Sequence, residues 1–140
     1  MSAASPIVGV GVVVIEGGRV LLVRRKFPPR AGAWSIPGGK QIAGETVRET
    51  ALRELKEETG LEAEILGLVD VVDAAYPGES GRTQYYTLID FAARPKGGAL
   101  RAGSDAAEAA WHALDALPAL GLWAETRRVI EAARPFFLDG

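Results

Sequence analysis

GGKQIAGETVRETALRELKEETGL, residues 38–61, is the stretch on which the reading of this chain turns. From Thr46 to Thr59 its apolar residues follow a helical period. Val47, Ala51 and Leu55 recur every fourth position and Leu52 widens the stripe, so one side of a helix is buried. Gly60 stands where a helix ends on a left-handed residue. Glu54 is a neighbour of both Glu57 and Glu58, because residues three and four apart share a helix face. Three carboxylates on one patch repel each other, and a divalent cation turns that repulsion into a site for hard oxygen ligands. Arg53, four positions before Glu57, can hold that side chain in place. At roughly 100° per residue the acids fall beside the apolar stripe, at the edge of the core, where a cleft can form. Solvated glutamate-rich helix faces are common, so this helix alone leaves a plain surface face open as a reading.

Outward from the helix, the chain reads as strands on both sides. Ile7 to Ile15 is β-branched, Glu16-Gly17-Gly18 turns it, and Val20 to Val23 follows, which predicts a hairpin. Arg24, Arg25 and Lys26 end the second strand, and a breaker-rich loop runs from Pro28 to Ala33. Trp34-Ser35-Ile36 is a short extended piece before Pro37-Gly38-Gly39. After the helix, Glu64 to Val72 reads as a strand, Tyr76 to Arg82 as a loop, Tyr85 to Ala93 as a strand and Pro95 to Gly98 as a turn. Ala110 to Leu114 is a last short strand, Asp115 caps a helical turn toward Leu120, and Glu125 to Ala133 suits a final helix. The order is not a repeating βαβ. An α+β class with a mixed β-sheet sandwiched between helices fits it, as one domain over residues 1–140.

Composition narrows the chemistry. The 140 residues are 48% hydrophobic and 24% charged, with a formal net charge of −2. A core can be buried, and no basic stripe calls for a nucleic acid polymer. There is no cysteine and one histidine, His112, so thiolate, disulfide and multi-histidine sites are excluded. A bound metal would have to be held mainly by oxygen, which favours Mg²⁺, Mn²⁺ or Ca²⁺. The apolar run from Ile7 to Ile15 is too short to span a bilayer. A cytoplasmic enzyme with no membrane partner is the expectation.

The pattern around the helix resembles the Nudix box. Gly39, five residues, Glu45, seven residues, then Arg53-Glu54-Leu55-Lys56-Glu57-Glu58-Thr59-Gly60-Leu61 matches it at all nine fixed positions over 23 residues. The preceding Trp34-Ser35-Ile36-Pro37-Gly38 is similar to the usual lead-in, and the flanking elements extend the likeness over nearly the whole chain. The resemblance implies a mixed sheet between helices, with the box as loop, helix and loop. It implies Mg²⁺ or Mn²⁺ bound by Glu54, Glu57 and Glu58 with the backbone carbonyl of Gly38. Gly39 and Gly60 would be structural. Glu45 and Arg53 would orient loop and helix, as pure support or with Arg53 taking part directly.

The implied reaction is attack of water on phosphorus of a pyrophosphate, with charge neutralised by the metal and a carboxylate as base. Glu57 is the box candidate for that base, with Glu54 beside it in the catalytic set; Glu108, Asp105 and Glu79 are loop candidates that could equally be solvated acids. Arg24, Arg25 and Lys40 could meet phosphates, only one of the two arginines facing the cleft because neighbours on a strand alternate. Trp34, Tyr85 and Tyr86 are either base-stacking or core residues. His112 has no expected chemical role, and Trp123, Phe136 and Phe137 look like helix-docking or subunit-contact residues. Pro77, sixteen residues after Leu61 and flanked by Tyr76 and Gly78, resembles a proline of ADP-ribose pyrophosphatases. So does the C-terminal stretch from Trp111 to Arg128. The resemblance therefore ranks ADP-ribose first, giving AMP and ribose 5-phosphate. A MutT-like nucleoside triphosphate pyrophosphohydrolase comes second, and a non-catalytic nucleotide-sugar sensor third. The small-molecule nucleotide is the expected partner, and a homodimer would suit the family.

Overall fold

A computed structural model describes residues 5–26, 32–77, 81–103 and 106–138. The strands are β1 (Ile7–Val13), β2 (Ile15–Glu16), β3 (Arg19–Arg25), β4 (Trp34–Ser35) and β5 (Gly38–Lys40), followed by the helix α1 (Val47–Thr59). Then come β6 (Leu61–Pro77), β7 (Thr83–Gly98), β8 (Ala106–Ala113), a 3-10 segment Leu114–Leu120, the helix α2 (Ala124–Ala133) and a short 3-10 end, Arg134–Phe137. The first sheet has the order β5-β1-β7-β6 and is mixed, since β1 runs parallel to β7 and antiparallel to β5. In the second sheet β3 pairs antiparallel with β2, β4 and β8.

Helix α1 forms where the apolar period predicts it. Thr46 caps its start: the Glu49 N–H donates to Thr46 Oγ1 at 3.1 Å, and the Thr46 N–H donates to Glu49 Oε1 at 2.8 Å. Such a reciprocal cap stabilises a helix by about 1 kcal/mol. Gly60 ends it at φ 78°, a conformation that costs glycine no side-chain clash.

Strand alternation divides the interior in two. Val10, Val12, Phe91 and Ala93 face α1 and pack with Ala51, Leu55 and Leu61. Val13, Ile15, Val20, Leu22 and Val72 face the other way and pack with Val129, Ile130 and Ala133 of α2. The first sheet thus lies between the two helices. Leu55, fully buried, contributes roughly 1.5–3 kcal/mol by its removal from water.

Four sequence expectations differ from the structure. Asp115 does not cap the turn toward Leu120: it lies inside the first turn of the 3-10 segment, whose cap position is Ala113 with no side-chain capping bond. The N-terminal hairpin is confined to Ile15–Glu16 against Arg19–Val20, whereas Ile7–Val13 is a central strand of the other sheet. A segment covered on both faces reads as a nearly continuous apolar run, so pattern alone did not reveal its partners. The strands expected at 64–72 and 85–93 extend to 61–77 and 83–98, taking in Tyr76 and Pro77 of the expected loop and all of the expected turn at 95–98. Pro95 is tolerated there because it sits opposite a register shift between Glu62 and Ala63, where a ladder hydrogen bond is not required. The last strand begins at Ala106 rather than Ala110, held by pairing with β3. Most of the expected breaker-rich loop, Pro28 to Ala31, lies outside the described residues.

Candidate active site

The box residues converge through one arginine. Arg53 donates from Nε to Glu45 Oε2 at 3.0 Å and from Nη2 to Glu45 Oε1 at 2.7 Å. Its Nη1 donates to Glu54 Oε1 at 2.7 Å and Glu57 Oε2 at 3.2 Å, and Nη2 also reaches the Lys40 carbonyl at 3.1 Å. A planar guanidinium with five donors suits this multiple contact, where an ammonium would not. The Arg53 hydrogen bonds hold the Glu45 carboxyl down at about 2, and those carboxylates in turn raise the arginine further above its ordinary value. Glu45 also accepts from the Ile42 N–H at 3.0 Å and from Thr50 Oγ1 at 2.8 Å, so it ties the loop to the first turn of α1.

Glu58 is anchored separately: the Gly38 N–H donates to its Oε1 at 2.7 Å. That brings strand β5 to the acidic edge of α1. A Cβ on Gly39 beside it would overlap the Glu54 carboxyl group, which would have to move aside. Glycine at 39 is therefore what lets Glu54 lie against the strand. At the far end of the helix, the Arg101 and Gly103 N–H groups donate to the carbonyls of Thr59 and Glu58 at 2.9 and 3.0 Å. These bonds satisfy carbonyls that a helix terminus leaves open.

A cleft of about 1000 Å³ opens beside this edge. Arg53, Glu54 and Glu58 line it on the side of β5, an edge strand of the first sheet, with Gly38, Gly39 and Lys40 of that strand and Arg24 and Arg25 of β3. Tyr76 and Pro77 of β6, the opposite edge strand, line it too, with Tyr86 of the adjoining β7 and Trp123. Tyr76 makes an edge contact with Tyr86 at 5.6 Å between ring centres and a tilted one with Trp123 at 5.9 Å. Acids and cations at one end and clustered aromatics at the other suit a ligand that is anionic at one end and planar at the other.

The expected residues divide as follows. Glu54 and Glu58 line the cleft, while Glu57 is outside that lining and its side chain is 59% exposed. The described contact of Gly38 with the acidic edge is through its N–H; the expectation concerned its carbonyl. Among the described residues no three acidic or histidine side chains converge as a metal cage, and Glu54 and Glu57 are both paired with Arg53. Glu108 is ion-paired with Arg24 at 2.8 Å and does not line the cleft. Asp105, Glu79 and Gly78 lie outside the described residues. Both Arg24 and Arg25 line the cleft, although only one was expected to; a register shift between them breaks the strict alternation.

The aromatic expectations divide too. Tyr86 faces the cleft, and Tyr85, half exposed, is not part of its lining. Trp34 packs edge-on to His112 at 4.4 Å, beneath the Arg24 guanidinium, and is also outside the lining. The His112 Nε2 is buried and makes no hydrogen bond among the described residues. Trp123 and Phe137 pack on the second core and Phe136 covers Gly67, which is helix docking. Trp123 additionally lines the cleft. Sequence reasoning missed Asp90, Glu125 and Thr126, all of which line it. The lone acid in the apolar run Leu88-Ile89-Asp90-Phe91-Ala92 was a legible signal for the first of these.

Comparison with known proteins gives this geometry a family. The NUDIX domain model matches residues 5–133. An ADP-ribose pyrophosphatase of Methanocaldococcus jannaschii is 37% identical over 82% of this chain and 66% of its own length. An oxidized purine nucleoside triphosphate hydrolase of Danio rerio is 35% identical over 81% of this chain and 70% of its own. The crystal structure of a MutT NUDIX hydrolase from Burkholderia pseudomallei superposes with a TM-score of 0.79 at 34% identity, covering 91% of this chain and 98% of that one. With a complete box on α1, a cleft beside it and these relatives, the chain belongs to the Nudix family of hydrolases, which act on phosphorus-containing anhydrides.

Proposed function

We propose that this chain hydrolyses the pyrophosphate bond of a nucleoside diphosphate derivative, with ADP-ribose as the first substrate and AMP and ribose 5-phosphate as the products. The observation that carries the reading is the polarity of the cleft. Glu54 and Glu58 are fixed at one end, by Arg53 and the Gly38 N–H, and Tyr76, Tyr86 and Trp123 cluster at the other. The archaeal relative named ADP-ribose pyrophosphatase supports the choice of substrate.

Glu54, Glu57 and Glu58 are hard oxygen donors on one helix edge, and their chemistry fits a divalent cation, Mg²⁺ or Mn²⁺. When bound, such a cation neutralises the pyrophosphate charge and acidifies water. The chain's own residues do the rest. Arg24, Arg25 and Lys40 supply positive charge along the cleft for the phosphates. Arg53 keeps Glu45, Glu54 and Glu57 oriented. Glu54, in the cleft lining against Gly39, accepts the proton of the attacking water. The water oxygen bonds to one phosphorus in line, the P–O–P bond breaks, and the bridging oxygen leaves on the other phosphate.

Purified protein with Mg²⁺, offered ADP-ribose and nucleoside triphosphates in parallel, tests this by its products. AMP with ribose 5-phosphate supports the reading. A monophosphate with pyrophosphate, from triphosphates only, replaces it by a MutT-like activity, which the fish relative favours. No turnover of either, with nucleotide still bound, points to a sensor.

A further inference from the structure

Asp90 stands on the floor of the cleft and none of the steps above uses it. Alternate residues of β7, Gln84, Tyr86, Leu88 and Asp90, all line the cleft, so Asp90 faces the ligand space and not the core packed under α1. It is 6% exposed, and no ion pair among the described residues includes it. The charged groups around it belong to two other elements: Asp70 on β6, and Arg128 and Glu125 on α2. Arg128 is already engaged, donating to Asp70 at 2.7 Å and to Glu125 at 2.8 Å.

The sheet register places this carboxyl relative to the acidic helix edge. Gly38 pairs with Gly11, Gly11 with Asp90, and Asp90 with Asp70, so the four stand in one row across the strands. Two strand spacings, about 10 Å, separate the Gly38 backbone from that of Asp90. Gly38 holds Glu58 at its end of the row. A Cβ on Gly11 would overlap Asp90 Oδ1, so glycine there leaves space that the carboxyl occupies. A pyrophosphate at Glu54 and Glu58 would reach this point with the nucleoside it carries.

We infer that Asp90 is a specificity-determining residue whose carboxyl hydrogen-bonds an N–H or O–H donor on the nucleoside end of the substrate. The inference rests on the hydrolase reading for the direction of the ligand. Its physical ground is that a buried carboxyl is costly until donors satisfy it. The described surroundings offer the backbone of Gly11, and a carboxylate can accept several more bonds. Tyr86 and Leu88, its cleft-facing neighbours on the strand, supply apolar surface for the rest of the nucleoside.

Calorimetric titration with AMP, which has no anhydride to cleave, tests this on the wild-type chain and on Asp90→Leu and Asp90→Asn. Ribose 5-phosphate serves as the control ligand. AMP affinity should fall about tenfold or more in Asp90→Leu, with ribose 5-phosphate affected less than threefold, and on ADP-ribose the loss should appear mainly in KM. 2′-Deoxy-AMP and GMP separate the donors: a loss on removing the hydroxyl assigns the contact to the ribose, and a change with the base assigns it to the base. Asp90→Asn keeps the shape and one acceptor oxygen but removes the charge, so it reads the charge-assisted part of the contact even where the leucine variant fails to fold. AMP binding within twofold of wild type in Asp90→Asn and in any folded Asp90→Leu overturns the inference, as does a wild-type chain that binds no AMP. Failure of the hydrolase reading would appear differently, as AMP binding that depends on Asp90 without turnover of any anhydride.

Discussion

Replacing Asp90 by asparagine removes a charge that the folded chain holds at a cost. Burial, with a smaller contribution from the Asp70 charge, raises the Asp90 carboxyl from 3.8 to about 6. The folded state therefore binds this proton more tightly than the unfolded state does. Below about pH 4 both states are protonated and the carboxyl costs nothing. Between pH 4 and 6 the unfolded chain releases the proton first, so stability falls as pH rises. Above pH 6 the penalty is fully present: about two pH units, or about 3 kcal/mol. The amide of the variant has no proton to release. Urea unfolding of both chains at pH 4, 5, 6 and 7.5 should show little difference at the lowest pH and a growing advantage for Asp90→Asn above it. The advantage should level off at about 1–3 kcal/mol, because the amide needs partners of its own. Other carboxyls titrate in this range, and their effects cancel in the comparison of the two chains. A difference that does not change with pH, or a variant weakened most at pH 7.5, would refute the reasoning. The same variant should bind AMP less well, so the position exchanges stability for recognition.

Glu54→Gln should lower kcat on ADP-ribose by on the order of 10²–10⁴ while leaving the melting temperature nearly unchanged, which parallel kinetics and calorimetry would check. Gly39→Ala drives a methyl group into the Glu54 carboxyl. Metal titration and turnover should then fall together in a chain whose circular dichroism is still native. Glu45 is lowered to about 2 by its hydrogen bonds to Arg53, against 4.5 ordinarily. A depressed carboxyl stabilises the fold above its unfolded value and loses that contribution as pH falls toward 2. Acid titration of wild type against Glu45→Gln should therefore show their stabilities converging from pH 4.5 down to 2, and a constant gap would contradict the assignment.

Much of this protein was legible in one dimension. The helix from 46 to 60 follows from its apolar period and its Gly60 stop, both set by neighbours within a turn or two, while the Thr46 cap emerged with the structure. The clustering of Glu54, Glu57 and Glu58 follows from the same short-range geometry, and so does the reach of Arg53 to Glu57. Glycine at 39 was legible as a box position, but its physical reason, the Glu54 carboxyl lying against it, needs the strand brought to the helix.

Sequence by itself determined the periods, caps, breakers and acid spacing, because these depend on contacts within a few residues. Tertiary structure alone decided that Ile7–Val13 lies between β5 and β7, because a run buried on both faces carries no mark of its partners. It also decided that Glu108 is spent on Arg24, that Tyr86 and not Tyr85 faces the cleft, and that Gly38, Gly11, Asp90 and Asp70 stand in one row. A shift of one residue in strand pairing exchanges every side chain between faces, and only packing of the whole sheet fixes that register.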